Sequence, residues 1–410
     1  MLSATRQGYE LDQSDSALEP HQGTVPVGRA SRTKAPAPEA DWRNGSDIGN
    51  REDLRAFYGE ERLPRYTSYP PSLHFSAEIG ADRYASWLRS LPASTTASLY
   101  LHVPFCRSMC WYCGCHTSIT RHNAPIADYI DLLGREIGLV AARFEDPPLV
   151  RHVHFGGGTP TVMAPEAFIR LVAALRAWFP FDSIAELAIE IDPRTLVPAM
   201  TDALGQAGVT RASLGVQSFD PLVQEAIRRR QGLDVTAAAI VGLRAAGVRG
   251  INLDLIYGLP HQTVESCVDT VRQCLELRPD RFAVFGYAHV PAFKKHQHHI
   301  DEATLPDGHA RRAQAEAIAA TLVAAGYRRI GLDHYALPDD ALEIAQAEGR
   351  LRRNFQGYTT DPCDSLIGLG ASAIGRVPQG YVQNAPALQA YAERVGRGDL
   401  PTVKGYALTP

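Results

Sequence analysis

The chain has 410 residues, 45 % of them hydrophobic, and a formal net charge of −4. This length exceeds one minimal domain and suits a large barrel with attachments, and the charge gives no reason to expect a nucleic-acid partner. The chain has no run of about eighteen apolar residues and no apolar secretion signal, so we expect a cytoplasmic protein without a membrane span. In that reducing compartment, seven cysteines indicate metal or redox chemistry.

Four regions follow one another along the chain. Residues 1–50 are rich in Ala, Pro, Ser and Gly and lack a periodic apolar pattern, which predicts a disordered leader. Residues 51–97 are interpreted as an N-terminal arm with a helix. Residues 98–300 are interpreted as the barrel, and residues 301–410 as a C-terminal extension.

Short β-rich runs alternate with amphipathic helical runs in the barrel region, and this repeat occurs six times. Each helix returns the chain to the same edge, so such repeats build a parallel sheet. Six units predict an α/β protein with a partial (β/α)6 TIM-like barrel rather than a doubly wound sheet. The strand candidates are “SLYLHV”, “VRHVHF”, “ELAIEID”, “RASLGVQ”, “INLDLIYG” and “RFAVFGYA”.

Beyond the barrel, the pattern predicts a helix over residues 309–326. A strand is predicted over “YRRIGLDHYAL” and a further helix over “DDALEIAQAEGRLRR”. The next segment, “NFQGYTTDPCDSLIGLGASAIG”, is interpreted as a glycine-rich loop region.

Every polar cluster of the barrel region falls at or near the end of a predicted strand. Four cysteines follow “SLYLHV”, “GGGTP” follows “VRHVHF”, and “YAHVP” closes the sixth strand. Asp192 and Gln217 end the third and fourth strands, and Asp254 lies within the fifth. In TIM-like barrels the chemistry lies at the C-terminal ends of the strands. The sequence therefore predicts that one mouth of one barrel collects these residues.

The segment “CRSMCWYCGC” contains Cys106, Cys110, Cys113 and Cys115. Thiolates at this density indicate zinc or an iron–sulfur cluster. A structural zinc site normally uses two separated pairs of ligands, although His116 could complete a mononuclear site here. The spacing of the first three cysteines instead suits three corners of a 4Fe–4S cluster, which leaves one iron open to a ligand.

Nine blocks in order carry a closer resemblance: “RYTSYP”, “YLHVPFCRSMCWYCGC”, “HFGGGTPT”, “EIDPRTL”, “LGVQSF”, “NLDLIYGLPHQT”, “YAHVP”, “GLDHYALPDDALEIAQAEGRLRRNFQGYTT” and “GLGASAIG”. The cysteine spacing is typical of radical S-adenosylmethionine (SAM) enzymes, which this sequence resembles. From about residue 51 to its end, the chain resembles the oxygen-independent coproporphyrinogen III oxidases within that superfamily. That family continues with a helical region after the block matching “KGYALTP”, so the C-terminal extension is expected to be truncated.

The resemblance implies an activity and its cofactors. Two propionate groups of coproporphyrinogen III would be oxidatively decarboxylated to vinyls, giving protoporphyrinogen IX in heme biosynthesis. A 4Fe–4S cluster and SAM would generate a deoxyadenosyl radical that takes hydrogen from the propionate carbon next to the ring. A second SAM would bind beside the first. An electron donor is a further implied partner, and the protein is expected to be a monomer.

Carried over position by position, the resemblance also implies three groups of site residues. The cluster would be bound by Cys106, Cys110 and Cys113, with Cys115 near the cluster but not on it. The first SAM would be held by Tyr100, Tyr112, Gly157, Glu190 and Ile374. The second SAM would be held by Gly158, Thr159, Gln217, Arg229, Asp254 and Ala288.

The substrate carries four carboxylates, so its pocket needs cations or backbone donors. Arg65, Lys294 and Lys295 are the candidates for this role. The three histidines of the adjoining “HQHH” are interpreted as solvated loop residues, with a metal-binding tract as the alternative.

Ser218 stands where the oxidases usually carry an aspartate and is more typical of related heme chaperones. Two rival hypotheses therefore stay open: a heme-trafficking protein that keeps the cluster, and a radical enzyme that acts on another tetrapyrrole. Gly114, Cys115 and the “RYTSYP” arm are typical of the oxidases instead.

Overall fold

The barrel repeat forms six neighbouring parallel strands with helices packed on their outer side. The structure is a computed structural model that describes residues 70–354, 357–363 and 365–408. The predicted leader, the first part of the predicted arm and the candidate substrate residue Arg65 lie outside these described residues.

The strands that form in these ranges are β1 (Thr96–Val103), β2 (Phe105–Cys106), β3 (Ser118–Ile119), β4 (Leu149–Gly157), β5 (Phe181–Ile191), β6 (Arg211–Gln217), β7 (Gly250–Tyr257), β8 (Arg281–Gly286), β9 (Arg328–Ile330), β10 (His334–Ala336), β11 (Arg352–Asn354), β12 (Gly357–Thr359), β13 (Ser365–Leu369), β14 (Ile374–Val377), β15 (Gly380–Asn384) and β16 (Thr402–Ala407).

The helices that form in the same ranges are α1 (Ala81–Arg89), α2 (Ala124–Ala141), α3 (Pro165–Trp178), α4 (Pro198–Ala207), α5 (Pro221–Ala226), α6 (Leu233–Ala245), α7 (Val264–Glu276), α8 (Gly308–Ala324), α9 (Ala341–Ala347) and α10 (Leu388–Arg397). None of these described helices is both long and apolar enough to cross a membrane.

Side-chain caps fix where several helices begin. The Asp220 carboxylate accepts hydrogen bonds from the backbone N–H groups of Leu222 and Val223 at the start of α5. At α7, Thr263 and Ser266 each accept from the other's backbone N–H. These contacts satisfy donors that a helix start otherwise leaves without a partner. The chain therefore begins these helices at defined residues.

One sheet of twelve strands contains the barrel wall, in the order β16-β15-β14-β13-β1-β4-β5-β6-β7-β8-β10-β9. The strands β1, β4, β5, β6, β7 and β8 pair in parallel and in chain order. This confirms the predicted α/β class with a partial (β/α)6 barrel. The sequential order places all the C-terminal strand ends at one mouth.

The predicted loop over residues 354–375 is wrong in part, because it contains β12, β13 and the start of β14. The strand β13 pairs in parallel with β1 and adds one strand to the barrel wall. Its run “SLIGL” has the apolar character of a buried strand. The many neighbouring glycines favoured a loop in the sequence and concealed this strand.

Two further predictions after the barrel need correction. The segment “YRRIGLDHYAL” forms two antiparallel strands, β9 and β10, rather than one. The chain turns between them at Gly331, whose φ of +56° suits a residue without a side chain. The predicted helix over “DDALEIAQAEGRLRR” ends early at Ala347, and its last residues enter β11.

The main core lies between the barrel wall and the outer helices. In α2, the residues Ile126, Tyr129, Ile130, Leu133 and Ile137 recur at helical spacing and are all buried. Burying one such side chain contributes about 1.5–3 kcal/mol relative to leaving it exposed. The amphipathic pattern therefore explains why α2 packs on the sheet.

A buried carboxylate joins α2 to the C-terminal part of the chain. Glu136 accepts hydrogen bonds of 2.7 Å from the Gly370 N–H, the Asn384 amide and the Tyr391 hydroxyl. Burial raises the pKa of Glu136 to about 7. This contact links elements that are distant in sequence through one ionisable group.

The barrel interior below the mouth is polar and holds a cavity of about 240 Å³. Arg211 pairs with Glu186 at 3.2 Å, and Arg281 pairs with Asp340 at 2.7 Å. Buried charges are tolerated when they are paired in this way. The apolar packing of the barrel is therefore concentrated on its outer side.

Candidate active site

A second cavity, of about 340 Å³, opens at the C-terminal ends of the six barrel strands. The residues that line this cavity confirm the prediction that the polar clusters of the sequence meet at one mouth. Tyr100 and Ile374 are the two predicted site residues that the wall does not include. The predicted residues that line it are Cys106, Cys110, Tyr112, Cys113, Gly157, Gly158, Thr159, Glu190, Gln217, Arg229, Asp254 and Ala288.

The cysteine loop begins directly after β1. The short strands β2 and β3 pair in parallel and close its base. Inside the loop, the Cys113 N–H donates to the Cys110 carbonyl at 3.1 Å, and the Trp111 N–H donates to the Ile227 carbonyl at 3.0 Å. Backbone contacts therefore set the loop shape and hold the cysteines at the cavity.

Hydrogen-bond donors surround two of the cysteine sulfurs. The Sγ of Cys106 lies 3.4 Å from the hydroxyls of both Thr117 and Thr159. The Sγ of Cys110 accepts from Arg194 at 3.3 Å and from Arg229 at 3.6 Å. Donors and cations placed in this way favour thiolates, the form in which cysteine binds a metal. At Cys106, burial outweighs the two threonine hydroxyls and raises the pKa of the thiol.

Cys113 and Cys115 form an asymmetric pair. A hydrogen bond from Cys115 lowers the pKa of Cys113 to about 6, and the same bond raises the pKa of Cys115. This contact favours the thiolate form at Cys113 over the thiolate form at Cys115. This arrangement fits the expectation that Cys115 lies beside the cluster but does not bind it.

Residues Lys294–Gln297, which follow β8 in the chain, contact the cysteine loop. We call this segment the clamp. The clamp donates three hydrogen bonds to loop carbonyls: Lys294 to Cys115 at 3.0 Å, His296 to Cys113 at 2.7 Å and Gln297 to Tyr112 at 3.1 Å. The candidate substrate residue Lys294 thus contacts the loop. The sequence did not indicate the clamp because its partners are distant in the chain, with 183 positions between His296 and Cys113.

The described residues contain no three His, Cys, Asp or Glu side chains grouped closely enough to hold a single metal ion. Neither the cysteines with His116 nor the three histidines of the tract form such a group among these residues. All seven cysteines are free thiols. The sulfurs of Cys106, Cys110 and Cys113 instead face a cavity with room for a larger group, as a cluster with an open iron requires.

The glycine loop after β4 approaches the cavity closely. Gly157 has φ +114°, and a Cβ there would lie 2.7 Å from the His102 ring. Its N–H donates to Glu190 Oε2 at 3.0 Å, and His154 contacts Glu190 Oε1 at 3.1 Å. Burial raises the pKa of Glu190, but these two hydrogen bonds outweigh it and hold the pKa below its usual value. Glu190 is therefore a fixed carboxylate in the cavity wall.

Asp254 lies in β7 and shares the cavity wall with Glu190. Its carboxylate accepts from the Ser213 hydroxyl at 3.0 and 3.1 Å and from the Asn252 amide at 2.8 Å. Burial, reinforced by the charge of Glu190, raises the pKa of Asp254 to about 6. At neutral pH both acids can accept hydrogen bonds from ligand hydroxyl or amino groups.

The end of β6 has a strained backbone. Gln217 has φ +70°, a conformation that is uncommon for a residue with a side chain. Such outliers concentrate at functional sites, where the surrounding structure holds them in place. The strain at Gln217 supports its assignment to the site.

An ion network behind Cys110 contains Asp192, which the sequence placed at the mouth without a role, and Arg194, which the sequence did not identify. Asp192 pairs with Arg194 at 2.6 Å and with Arg229 at 3.4 Å. Burial raises the pKa of Asp192, but the two guanidinium groups outweigh it and lower that pKa. Among the described residues, the buried Nε of Arg229 has no hydrogen-bond partner. The strand-end position of Asp192 was the signal in the sequence that could have identified this network.

Three residues named above are not part of the wall of the mouth cavity. Tyr100 lines the inner cavity, where its ring stacks on His154. Ile374 begins β14, beside β13. Ser218 is buried against Thr270 at 3.5 Å and is not part of the wall of the mouth cavity.

Comparisons with known proteins agree with this geometry. A family model described as the radical SAM superfamily matches residues 100–274. An oxygen-independent coproporphyrinogen III oxidase from Bradyrhizobium diazoefficiens is 62 % identical over 359 residues, which cover 88 % of this chain and 80 % of that protein. Another from Paracoccus denitrificans is 44 % identical and covers 85 % of this chain and 78 % of that protein.

A solved structure extends the comparison to the fold. The coproporphyrinogen III oxidase HemN from Escherichia coli, a radical SAM enzyme, matches with a TM-score of 0.81 and 40 % sequence identity. The match covers 84 % of this chain and 79 % of that chain.

Proposed function

Because the chain belongs to the family of oxygen-independent coproporphyrinogen III oxidases, we propose that it converts two propionates of coproporphyrinogen III to vinyl groups and so forms protoporphyrinogen IX. The observation that carries the proposal is one cavity that joins the three-cysteine loop to the glycine loop and to the strand-end acids. For each propionate, the deoxyadenosyl radical takes one hydrogen atom, carbon dioxide leaves, and the remaining electron passes to a one-electron acceptor.

The chain's own residues suit a 4Fe–4S cluster. Cys106, Cys110 and Cys113 would bind three irons and leave the fourth open to SAM. When bound, the cluster supplies the electron that cleaves SAM to the hydrogen-abstracting radical. Arg194 and Arg229 would hold the sulfur of Cys110 by charge-assisted hydrogen bonds.

Two SAM molecules would occupy the mouth cavity. Gly157 allows backbone to approach the first SAM, since a side chain there would collide with His102. Glu190 would accept from the amino or ribose groups of that SAM. For the second SAM, the buried Nε of Arg229 offers an unpaired donor to a carboxylate, and Asp254 offers an acceptor. The other proposed ligands are those named in the sequence analysis.

We place the enzyme in the cytoplasm, as a monomer that receives electrons from a separate donor. The position of Ser218 bears on the rival heme-chaperone hypothesis. Its hydroxyl lies outside the mouth cavity wall, so the exchange of aspartate for serine changes no cavity-lining side chain. The oxidase is therefore the function that the geometry favours.

The test is an anaerobic assay of reconstituted protein with coproporphyrinogen III, SAM and dithionite, followed by separation of the oxidised porphyrins. We expect protoporphyrin from the unchanged protein and none from Cys110→Ser. A matched Cys274→Ser variant, whose thiol is buried behind the sheet, serves as the control. Absence of protoporphyrin from unchanged protein that carries its full cluster would rule out the oxidase.

A further inference from the structure

Trp111 connects the cysteine loop to the protein surface. It stands in sequence between Cys110 and Cys113, and its ring is half-buried. The ring stacks on the exposed His299, with centroids 5.1 Å apart and planes 30° apart. The guanidinium of the exposed Arg228 lies 6.0 Å from the centre of the same ring. An aromatic pair thus runs from solvent to the peptide that carries two proposed cluster ligands.

Exposed cations lie close to Trp111 in the structure and in the sequence, on a chain whose net charge is negative. Residues 288–300 contain two lysines and no Asp or Glu, whereas Asp301 and Glu302 follow directly and Glu302 pairs with His289 at 3.1 Å. Arg228 and Lys295 are exposed there. The neighbouring Arg230 is paired with Glu225, so it adds little to this charge.

An exposed apolar side chain lies on the same short segment as Lys295 and His299. Phe293 is 86 % exposed and directly precedes Lys294, whose ammonium contacts the cysteine loop. Exposed apolar groups with a charged rim are typical of protein-interaction sites. We call Trp111, Arg228, Phe293, Lys295 and His299 the Trp111 face.

We propose that the Trp111 face docks an acidic protein that donates single electrons, and that His299 and Trp111 lie on the route to the cluster. This inference rests on the proposed function, because cleaving each SAM consumes one electron. In the step, the donor protein loses one electron, the cluster gains it, and no proton or bond is exchanged.

Charge complementarity is the physical reason for an acidic partner. Opposite charges steer encounter and raise association rates, mainly at low ionic strength. Electron-transfer complexes also use small, transient interfaces, which suits a patch of this size. A tetracarboxylate substrate could also be attracted by these cations, and the experiment separates the two.

The experiment compares two reductants on the reconstituted full chain. One is dithionite, a small molecule, and the other is an acidic flavodoxin kept in its hydroquinone form. The test variant is Arg228→Glu with Phe293→Glu. The matched control is Arg135→Glu with Val241→Glu, two exposed positions on the outer helices α2 and α6. The readouts are the bleaching rate of cluster absorbance and the KM for coproporphyrinogen III.

With flavodoxin at low salt, we expect the test variant to bleach at least about tenfold more slowly than the control. The difference should shrink at high salt, because salt screens exposed charges. With dithionite, both variants should bleach like the unchanged protein. If flavodoxin bleaches the cluster of the unchanged protein but no protoporphyrin forms, the proposed oxidase function is wrong. The docking proposal would still stand.

Three outcomes would overturn the docking proposal. The first is that flavodoxin bleaches the test and control variants at equal rates, or that it does not bleach the unchanged protein. The second is slow bleaching of the test variant by both reductants, which would mean that the face supports the cluster itself. The third is a raised KM for coproporphyrinogen III in the dithionite assay, which would assign the face to the substrate.

Discussion

At the scale of single residues, the four cysteines of the loop differ in the groups that contact their sulfurs. Cys106 and Cys110 have hydroxyl or guanidinium donors at their sulfurs. Cys113 receives its hydrogen bond from Cys115. A thiol that donates to a neighbouring thiolate cannot bind the same metal without losing its proton. These contacts favour the proposed division of the four cysteines into three cluster ligands and one hydrogen-bond donor.

The first prediction tests this division. Cys115→Ser keeps a hydroxyl donor next to Cys113, so we expect its reconstituted iron content to match that of the unchanged protein. Cys113→Ser should lose most of the iron, because a cluster ligand is removed. Anaerobic iron and sulfide analysis measures both. Equal iron loss in the two variants would make Cys115 a ligand.

Two glycines with positive φ allow a matched second prediction. Gly157→Ala and Gly247→Ala each impose a backbone penalty of about 1–2 kcal/mol. Only at Gly157 would the new Cβ collide with a neighbour, since a Cβ built at Gly247 would meet no atom within 4 Å. We therefore expect SAM binding, measured by equilibrium dialysis, to fall only in Gly157→Ala. Similar SAM binding by both variants would show that close approach at Gly157 is not needed.

At the scale of elements, the sequence predicted most of what positions the site. The six barrel strands were recognisable because each is a short apolar run that ends in polar residues. The clamp was not recognisable, since its lysine, histidine and glutamine look like those of any solvated loop. Its role depends on carbonyls that only the folded chain brings near. β13 was missed for a different reason, because glycines dominate its surroundings.

The third prediction concerns the clamp. The buried Gln297 donates to the carbonyls of Tyr112 at 3.1 Å and Ala288 at 3.3 Å and accepts from the Val290 N–H at 2.6 Å. Gln297→Ala leaves buried polar groups without partners, which costs about 1–3 kcal/mol. We expect iron to be lost to a chelator several-fold faster than from the unchanged protein.

The control for the clamp is Gln389→Ala, an exposed glutamine on α10. It should release iron at the rate of the unchanged protein. Equal chelation rates in the two variants would show that the clamp does not secure the cysteine loop.

At the scale of the whole molecule, Glu136 couples stability to pH. Its pKa is raised from 4.5 to about 7, so the folded protein binds the proton more tightly than the unfolded chain. The stabilisation is complete below about pH 4.5 and is lost as the pH rises through 7, by up to about 3 kcal/mol. Glu136→Gln removes this ionisable group.

The fourth prediction follows from that linkage. Between pH 5 and 7.5, the free energy of unfolding of the apoprotein should fall less in Glu136→Gln than in the unchanged protein. Denaturant titrations at several pH values measure the difference. Asp131→Asn, on the exposed side of the same helix, should keep the original pH slope. If Glu136→Gln keeps that slope too, Glu136 is ionised throughout this range.

The pairing of β1 with β13 has a consequence for how the protein is made. The Ser98 hydroxyl donates to Asp361, 263 positions further along the chain. Contacts of such long range slow folding, because much chain entropy is lost before they form. During synthesis, one edge of β1 stays without its partner until the chain has left the ribosome as far as β13. That edge is the place where a newly made chain is most exposed to pairing with the wrong partner.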